Sequence, residues 1–192
     1  RLQALQHLVA EERSLAQTGS LVYQGGPAPE SGSASASLIR RLLAEALRSE
    51  KFWAVQCEIA RALGELGGIT ARDAILDTLA SPHPRVRETC LEALRAFPDD
   101  EAVIQAVGRV LTQGDPSERV LSTAVTTYAE LRARDGLTTL CQVLRRDQQR
   151  ATVQERVLEV LGEHADASTL SVLVEWTHSG KSRACRQTAL AA

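Results

Sequence analysis

The amino-acid sequence predicts an all-α solenoid of about four and a half stacked helical hairpins. Three observations predict it. A single apolar template recurs at steps of 31, 34, 33 and 31 residues, no segment alternates convincingly with period two, and the composition is that of packed helices. Hydrophobic residues make up 44% of the 192 residues and aromatics only 3%, so the interior has to be built from Leu, Ala, Val and Ile. A solenoid reaches this length without a second core, because each repeat packs only on its neighbours.

Taken in order, Arg1–Gln17 carries Leu2, Leu5, Leu8, Val9 and Leu15 on one stripe, which predicts an amphipathic helix over residues 1–18. Residues 19–37 bring Gly19, Gly25, Gly26, Pro27, Pro29 and Gly32 among alternating Ser and Ala, a composition that neither sustains a helix nor buries much apolar surface. That stretch reads as a linker or long loop, and residues 38–192 as the solenoid.

Within the solenoid, Val55, Val86, Val120, Val153 and Ala184 start five aligned copies of one helix. Four residues on stand Ile59, Cys90, Ala124, Val157 and Thr188; five on, Ala60, Leu91, Val125, Leu158 and Ala189; eight on, Leu63, Leu94, Tyr128, Leu161 and Ala192. These offsets make one continuous helical face. Partner helices are expected over Leu38–Arg48, Thr70–Leu79, Glu101–Leu111, Gly136–Arg146 and Ser168–Thr177, with breaks such as Gly67-Gly68, Ser81-Pro82-His83-Pro84, Pro98-Asp99 and Gly114-Asp115-Pro116.

Several function classes are excluded or disfavoured. The formal charge of −2 supplies no sequence-wide attraction to nucleic acid or to an anionic membrane. The basic residues are almost all Arg, with Lys51 and Lys181 the only lysines. Cys57, Cys90, Cys141 and Cys185 show no metal spacing and read as reduced thiols, which points to a cytoplasmic compartment. No run of about 18 apolar residues is present to span a membrane. The start at Arg1 without Met and the stop inside a helical pattern suggest a fragment of a longer chain.

No chemistry-bearing motif emerges. His7, His83, His164 and His178 form no H-E-x-x-H pair, and His83, between two prolines, reads as an exposed turn residue. Gly25-Gly26 is followed by Pro27, which lacks the amide donor a phosphate cradle needs. The sequence therefore predicts no catalytic residue, no metal and no cofactor.

The stretches Phe52-Trp53-Ala54-Val55 through Leu63-Gly64 and His83-Pro84-Arg85-Val86-Arg87-Glu88 resemble the HEAT-repeat family, and the resemblance covers about Leu38 to Ala192. It implies stacked hairpins that serve as protein-interaction scaffolds. It also implies that Arg87 is structural, paired with an acidic residue of the hairpin turn. The same opening is similar to the HEAT-like C-terminal tails of gluzincin zinc aminopeptidases and to repeat segments of phycobilin lyases. Those similarities imply an accessory domain beside an enzyme core.

If the aligned helices line a concave face, as the resemblance implies, the row just before the template reads Ala54, Arg85, Arg119, Thr152 and Arg183. The row two places after its start reads Cys57, Glu88, Ser122, Glu155 and Arg186. The arginines form a broken basic ladder that could grip an acidic peptide or a phosphate backbone. The plainer reading is a solvated face neutralised by Glu88, Glu92, Glu118 and Glu155. Trp53, beside Phe52, is expected to pack against the preceding hairpin and Trp176 to cover the last groove, with either one available as an interface anchor. The expected function is a non-catalytic scaffold that presents Arg85, Arg119, Arg183, Glu88, Glu155 and Trp53 to a partner protein or to another domain of the parent chain.

Overall fold

The computed structural model describes residues 34–133, 136–146, 150–164, 167–178 and 180–192. The expected helix at 1–18 and the Gly/Pro/Ser stretch up to residue 33 lie outside the described residues. The fold is an all-α solenoid of HEAT-type hairpins, with ten helices and no strand among the described residues. In chain order they are α1 (Ala34–Ser49), α2 (Trp53–Leu66), α3 (Ile69–Thr78), α4 (Pro84–Leu94), α5 (Glu101–Gln113), α6 (Glu118–Glu130), α7 (Gly136–Arg146), α8 (Ala151–Glu163), α9 (Ala167–Trp176) and α10 (Arg183–Ala191). The described residues divide into two compact units, the first ending at Ala96 and the second starting at Phe97.

In the first unit α1 packs on α3 and α2 on α4, giving two layers of two helices. α1 starts at Ala34, ahead of the expected Leu38, because a Ser/Ala run adjoining an apolar stripe is compatible with helix. Leu43, Leu47, Ile59, Leu63, Ile75, Val86, Leu91 and Leu94 fill the interior. α2 stops where Gly67 and Gly68 take φ of 62° and 87°, values that side-chain-bearing residues rarely adopt. The carbonyl left open there, that of Leu66, accepts from Arg40 Nε at 3.2 Å and Nη2 at 3.0 Å, a cationic cap on the helix C-terminus. Pro84 opens α4, where its missing N–H costs nothing.

Gly64 in α2 lies under Ala93 of α4 so closely that an added Cβ would meet the Ala93 Cβ at 3.0 Å and its carbonyl oxygen at 3.1 Å. The glycine is what lets the two helices approach.

In the second unit α6, α8 and α10 form one layer and α5, α7 and α9 the other. Asp100 caps α5: its Oδ1 accepts from the amides of Ala102 at 3.0 Å and Val103 at 3.2 Å. Replacing it with Ala is expected to cost about 1 kcal/mol, read as a lower denaturation midpoint with an unchanged slope. Asp115, buried in the α5–α6 turn, accepts from the Ser117 amide at 2.7 Å, and its own carbonyl accepts from Arg150 Nη1 at 2.7 Å, tying that turn to the start of α8. Ser182 caps α10 through the Cys185 amide at 3.2 Å.

Apart from the half-buried Val55, the recurring face is buried in four of the copies, down to 0% exposure at Leu63, Leu94 and Leu161. In α10 it is covered at Ala189, half-covered at Thr188 and open at Ala184 and Ala192.

Candidate functional site

The first unit exposes an aromatic cluster where the aligned helices begin. Glu50 Oε1 accepts from the backbone amides of Lys51 at 2.8 Å and Phe52 at 2.9 Å, and Gln56 Nε2 donates back to the Glu50 carbonyl at 2.9 Å. This small network sets the entry to α2 and with it the direction of Phe52 and Trp53. Phe52 remains 57% exposed and Trp53 41% exposed. Their ring centroids are 6.0 Å apart and tilted by 51°.

Trp53 lies against the following hairpin, a correction to the expectation that it packs on the preceding one. It stacks on His83, with centroids 4.7 Å apart and planes within 1° of parallel. Because α2 and α4 run side by side, the residue at the start of one meets the N-cap of the next. The same contact makes His83 half-buried, where the sequence suggested an exposed turn. Its Nδ1 is buried with no hydrogen-bond partner among the described residues.

Arg87 closes the turn beneath this stack, donating from Nη1 to the carbonyls of Ser81 at 2.8 Å and Pro82 at 3.1 Å. Both of these acceptors are main-chain oxygens of the turn. Arg85 is half exposed with Nη1 3.6 Å from Glu88 Oε2, one turn along α4, and Glu88 itself is largely covered. Arg85, Glu88 and Trp53 therefore belong to one end of the first unit.

Arg119, Glu155 and Arg183 belong to the second unit. Arg119 and Arg183 are exposed at the starts of α6 and α10, and Glu155 is half-buried on α8. α8 packs between α6 and α10, so Thr152 interrupts the row, its hydroxyl donating to Glu118 Oε2 at 3.0 Å. Trp176 is 3% exposed, with Lys181 Nζ 4.0 Å from the centre of its ring. That contact makes it a structural cation–π partner.

Cys57, Cys90 and Cys185 are buried free thiols. Burial, and secondarily the neighbouring Cys57, pushes the Cys90 thiol up to about 12, so it stays protonated and inert as a nucleophile near neutral pH. Among the described residues no group of three or more His, Cys, Asp or Glu is placed to hold a metal ion. No helix there is long and apolar enough to cross a membrane.

Sequence reasoning missed three further participants. Arg40 and Arg150 pair across 26 and 35 residues of chain with turn carbonyls, which no local motif announces. A cleft in the second unit gathers Asp99, Glu101 and Tyr128, whose signal was a tyrosine at a template position that holds Leu in three other copies.

Residues 40–113 match the family profile described as HEAT repeats, so that stretch is similar to the HEAT-repeat family. No curated protein matches the chain. Among solved structures, the crystal structure of an engineered protein from the Northeast Structural Genomics Consortium aligns with a TM-score of 0.48 and 19% sequence identity, covering 97% of this chain and 94% of that one.

Proposed function

We propose that this solenoid of HEAT-type hairpins is a non-catalytic interaction module whose first unit engages a protein partner through Phe52 and Trp53. The partner is a separate polypeptide or another domain of the same one. The observation that carries the reading is the Trp53–His83 stack: a tryptophan 41% exposed, yet held in one orientation by a parallel ring 4.7 Å away. Such a side chain offers large contact area without the entropy cost of ordering a free rotamer, which is the character of an interface anchor. Arg85 and Glu88 border it and add polar selectivity. A reducing compartment such as the cytoplasm suits the buried free thiols.

A nucleic-acid role draws little from the arginine row. Arg85 already faces Glu88, and Thr152 breaks the row between Arg119 and Arg183.

The test is comparative affinity capture from the source organism, with the intact chain and its Phe52→Ala/Trp53→Ala variant side by side. A partner retained by the native chain should bind the variant at least about tenfold more weakly in a purified titration, the loss expected when a central aromatic anchor is truncated. Equal retention by both would remove the Trp53 surface from the interface, and turnover of a substrate by the isolated chain would end the non-catalytic reading.

A further inference from the structure

Around the exposed rings of the first unit, cations face outward and carboxylates face inward. Lys51, next to Phe52 in the chain, is exposed, and its ammonium group makes no ion pair among the described residues. Arg85 stands two residues beyond His83. Its carbonyl accepts from Cys57 Sγ at 3.6 Å, which sets it beside the first turn of α2. The Arg85 side chain is 53% exposed, and its Nη1 lies 3.6 Å from Glu88 Oε2, too far for a hydrogen bond.

The neighbouring carboxylates are spent on the protein itself. Glu50 is half-buried, and its Oε1 is taken by the amides of Lys51 and Phe52. The Glu88 side chain is only 12% exposed. Glu58, further along α2, is paired with Arg61.

His83 adds a donor to the same surface. Its Nδ1 is buried without a partner, and a proton there would be stranded, whereas an unmet buried acceptor is better tolerated than an unmet N–H. The neutral ring therefore carries its proton on Nε2, at the accessible edge of a half-buried side chain. Pro82 and Pro84, both exposed, extend the apolar area on either side of the imidazole. No side chain caps α2 at Phe52 or α4 at His83, so the positive ends of both helix dipoles open beside the rings.

We infer that the partner segment seated on Phe52 and Trp53 is an acidic peptide, with one apolar or aromatic residue on the rings and Asp or Glu on both sides of it. The inference rests on the interface reading given above. The apolar residue covers the open face of the indole, whose other face is taken by His83. A carboxylate on one side pairs with Lys51, and one on the other side meets His83 Nε2–H and Arg85. A basic segment would meet Lys51 and Arg85 as repulsion. A nucleic-acid strand would neutralise its phosphates against two cations only, a small electrostatic return.

The test is a titration of the intact chain with the capped hexapeptide Asp-Asp-Leu-Phe-Asp-Asp, read by NMR at the Trp53 indole N–H, which is assigned by its loss in Trp53→Phe. A saturable shift at Trp53 is expected, with the Trp176 indole unmoved. Affinity should fall about tenfold or more in Lys51→Gln/Arg85→Gln, fall as much when the peptide's Asp residues are replaced by Asn, and weaken with added salt. Both substituted side chains are exposed, so the double variant should keep the native thermal midpoint. No shift up to millimolar peptide, equal binding of the Asn peptide, or undiminished binding in Lys51→Gln/Arg85→Gln would overturn the acidic assignment and leave the aromatic interface to its own capture experiment. Tighter binding of hexathymidylate would overturn it by handing the rings to a nucleic-acid strand. Acidic-peptide binding undiminished in Phe52→Ala/Trp53→Ala would place the peptide away from the rings and overturn it as well.

Discussion

Leu94→Ala is expected to destabilise the protein by about 2–5 kcal/mol, a large part of the roughly 5–15 kcal/mol that holds a typical domain folded. Leu94 lies eight residues into its template copy, at the end of α4, and is 0% exposed. α4 packs on both α2 and α3, so the leucine is enclosed by its own hairpin and by the preceding one. Truncation removes apolar surface from that seam and leaves a void that helices tied by the Arg87 and Arg40 carbonyl bonds cannot readily close. The small helix-propensity gain of alanine over leucine does not offset this. Urea unfolding of the variant reads the loss directly. Leu190→Ala is the internal control: at 73% exposure it should shift stability by no more than about 0.5 kcal/mol. A loss under about 0.5 kcal/mol at Leu94 would mean that the repeat register is wrong.

That register was legible because a helix writes its buried face into the chain at offsets of three and four, and here the same face was written five times. Helix ends were legible at Gly67-Gly68, Pro84 and Gly114, where one residue type meets one backbone need. Contacts between hairpins were not. Trp53 and His83 are 30 residues apart in sequence, and only the side-by-side placement of α2 and α4 brings them together. Arg87 donates to main-chain oxygens of its turn, which no side-chain pattern can display. Arg85 reads as part of a ladder in sequence, while in the fold its near neighbour is Glu88, on its own helix. Tyr128 was counted as one more core position, since burial and apolar face were all the alignment scored. Its departure from leucine, and Gly108 opposite it on α5, become meaningful together only when α5 and α6 are seen to pack on each other.

Gly64→Val is expected to be the most disruptive single change on the α2–α4 contact, costing about 1–3 kcal/mol or more through overpacking. A bare Cβ at Gly64 already comes within 3.0–3.1 Å of the Ala93 Cβ, Cα and carbonyl oxygen, and two of those three belong to backbone that cannot rotate away. Valine adds two γ-methyl groups to that position. Gly64→Ala separates the competing effects, because the roughly 1 kcal/mol that alanine gains over glycine in a helix opposes the same close contact. Removing the Ala93 Cβ, in Ala93→Gly, should therefore restore part of the Gly64→Val loss, and the double-mutant cycle should show coupling of about 0.5 kcal/mol or more. Additive losses would mean that the helices move apart freely at this point. The consequence reaches the aromatic surface, since Trp53 and His83 sit 11 and 10 residues before Gly64 and Ala93 on helices that run alongside each other. A wedge at the glycine is felt at the stack, roughly 15 Å along at 1.5 Å per residue. The indole resonance of Trp53 should shift in Gly64→Val and return toward its native position when Ala93→Gly is added, whereas Leu190→Ala should leave it in place. An unmoved indole in Gly64→Val would show that the stack is fixed by the α1–α2 turn alone, through Glu50 and Gln56, and not by the spacing of the two helices.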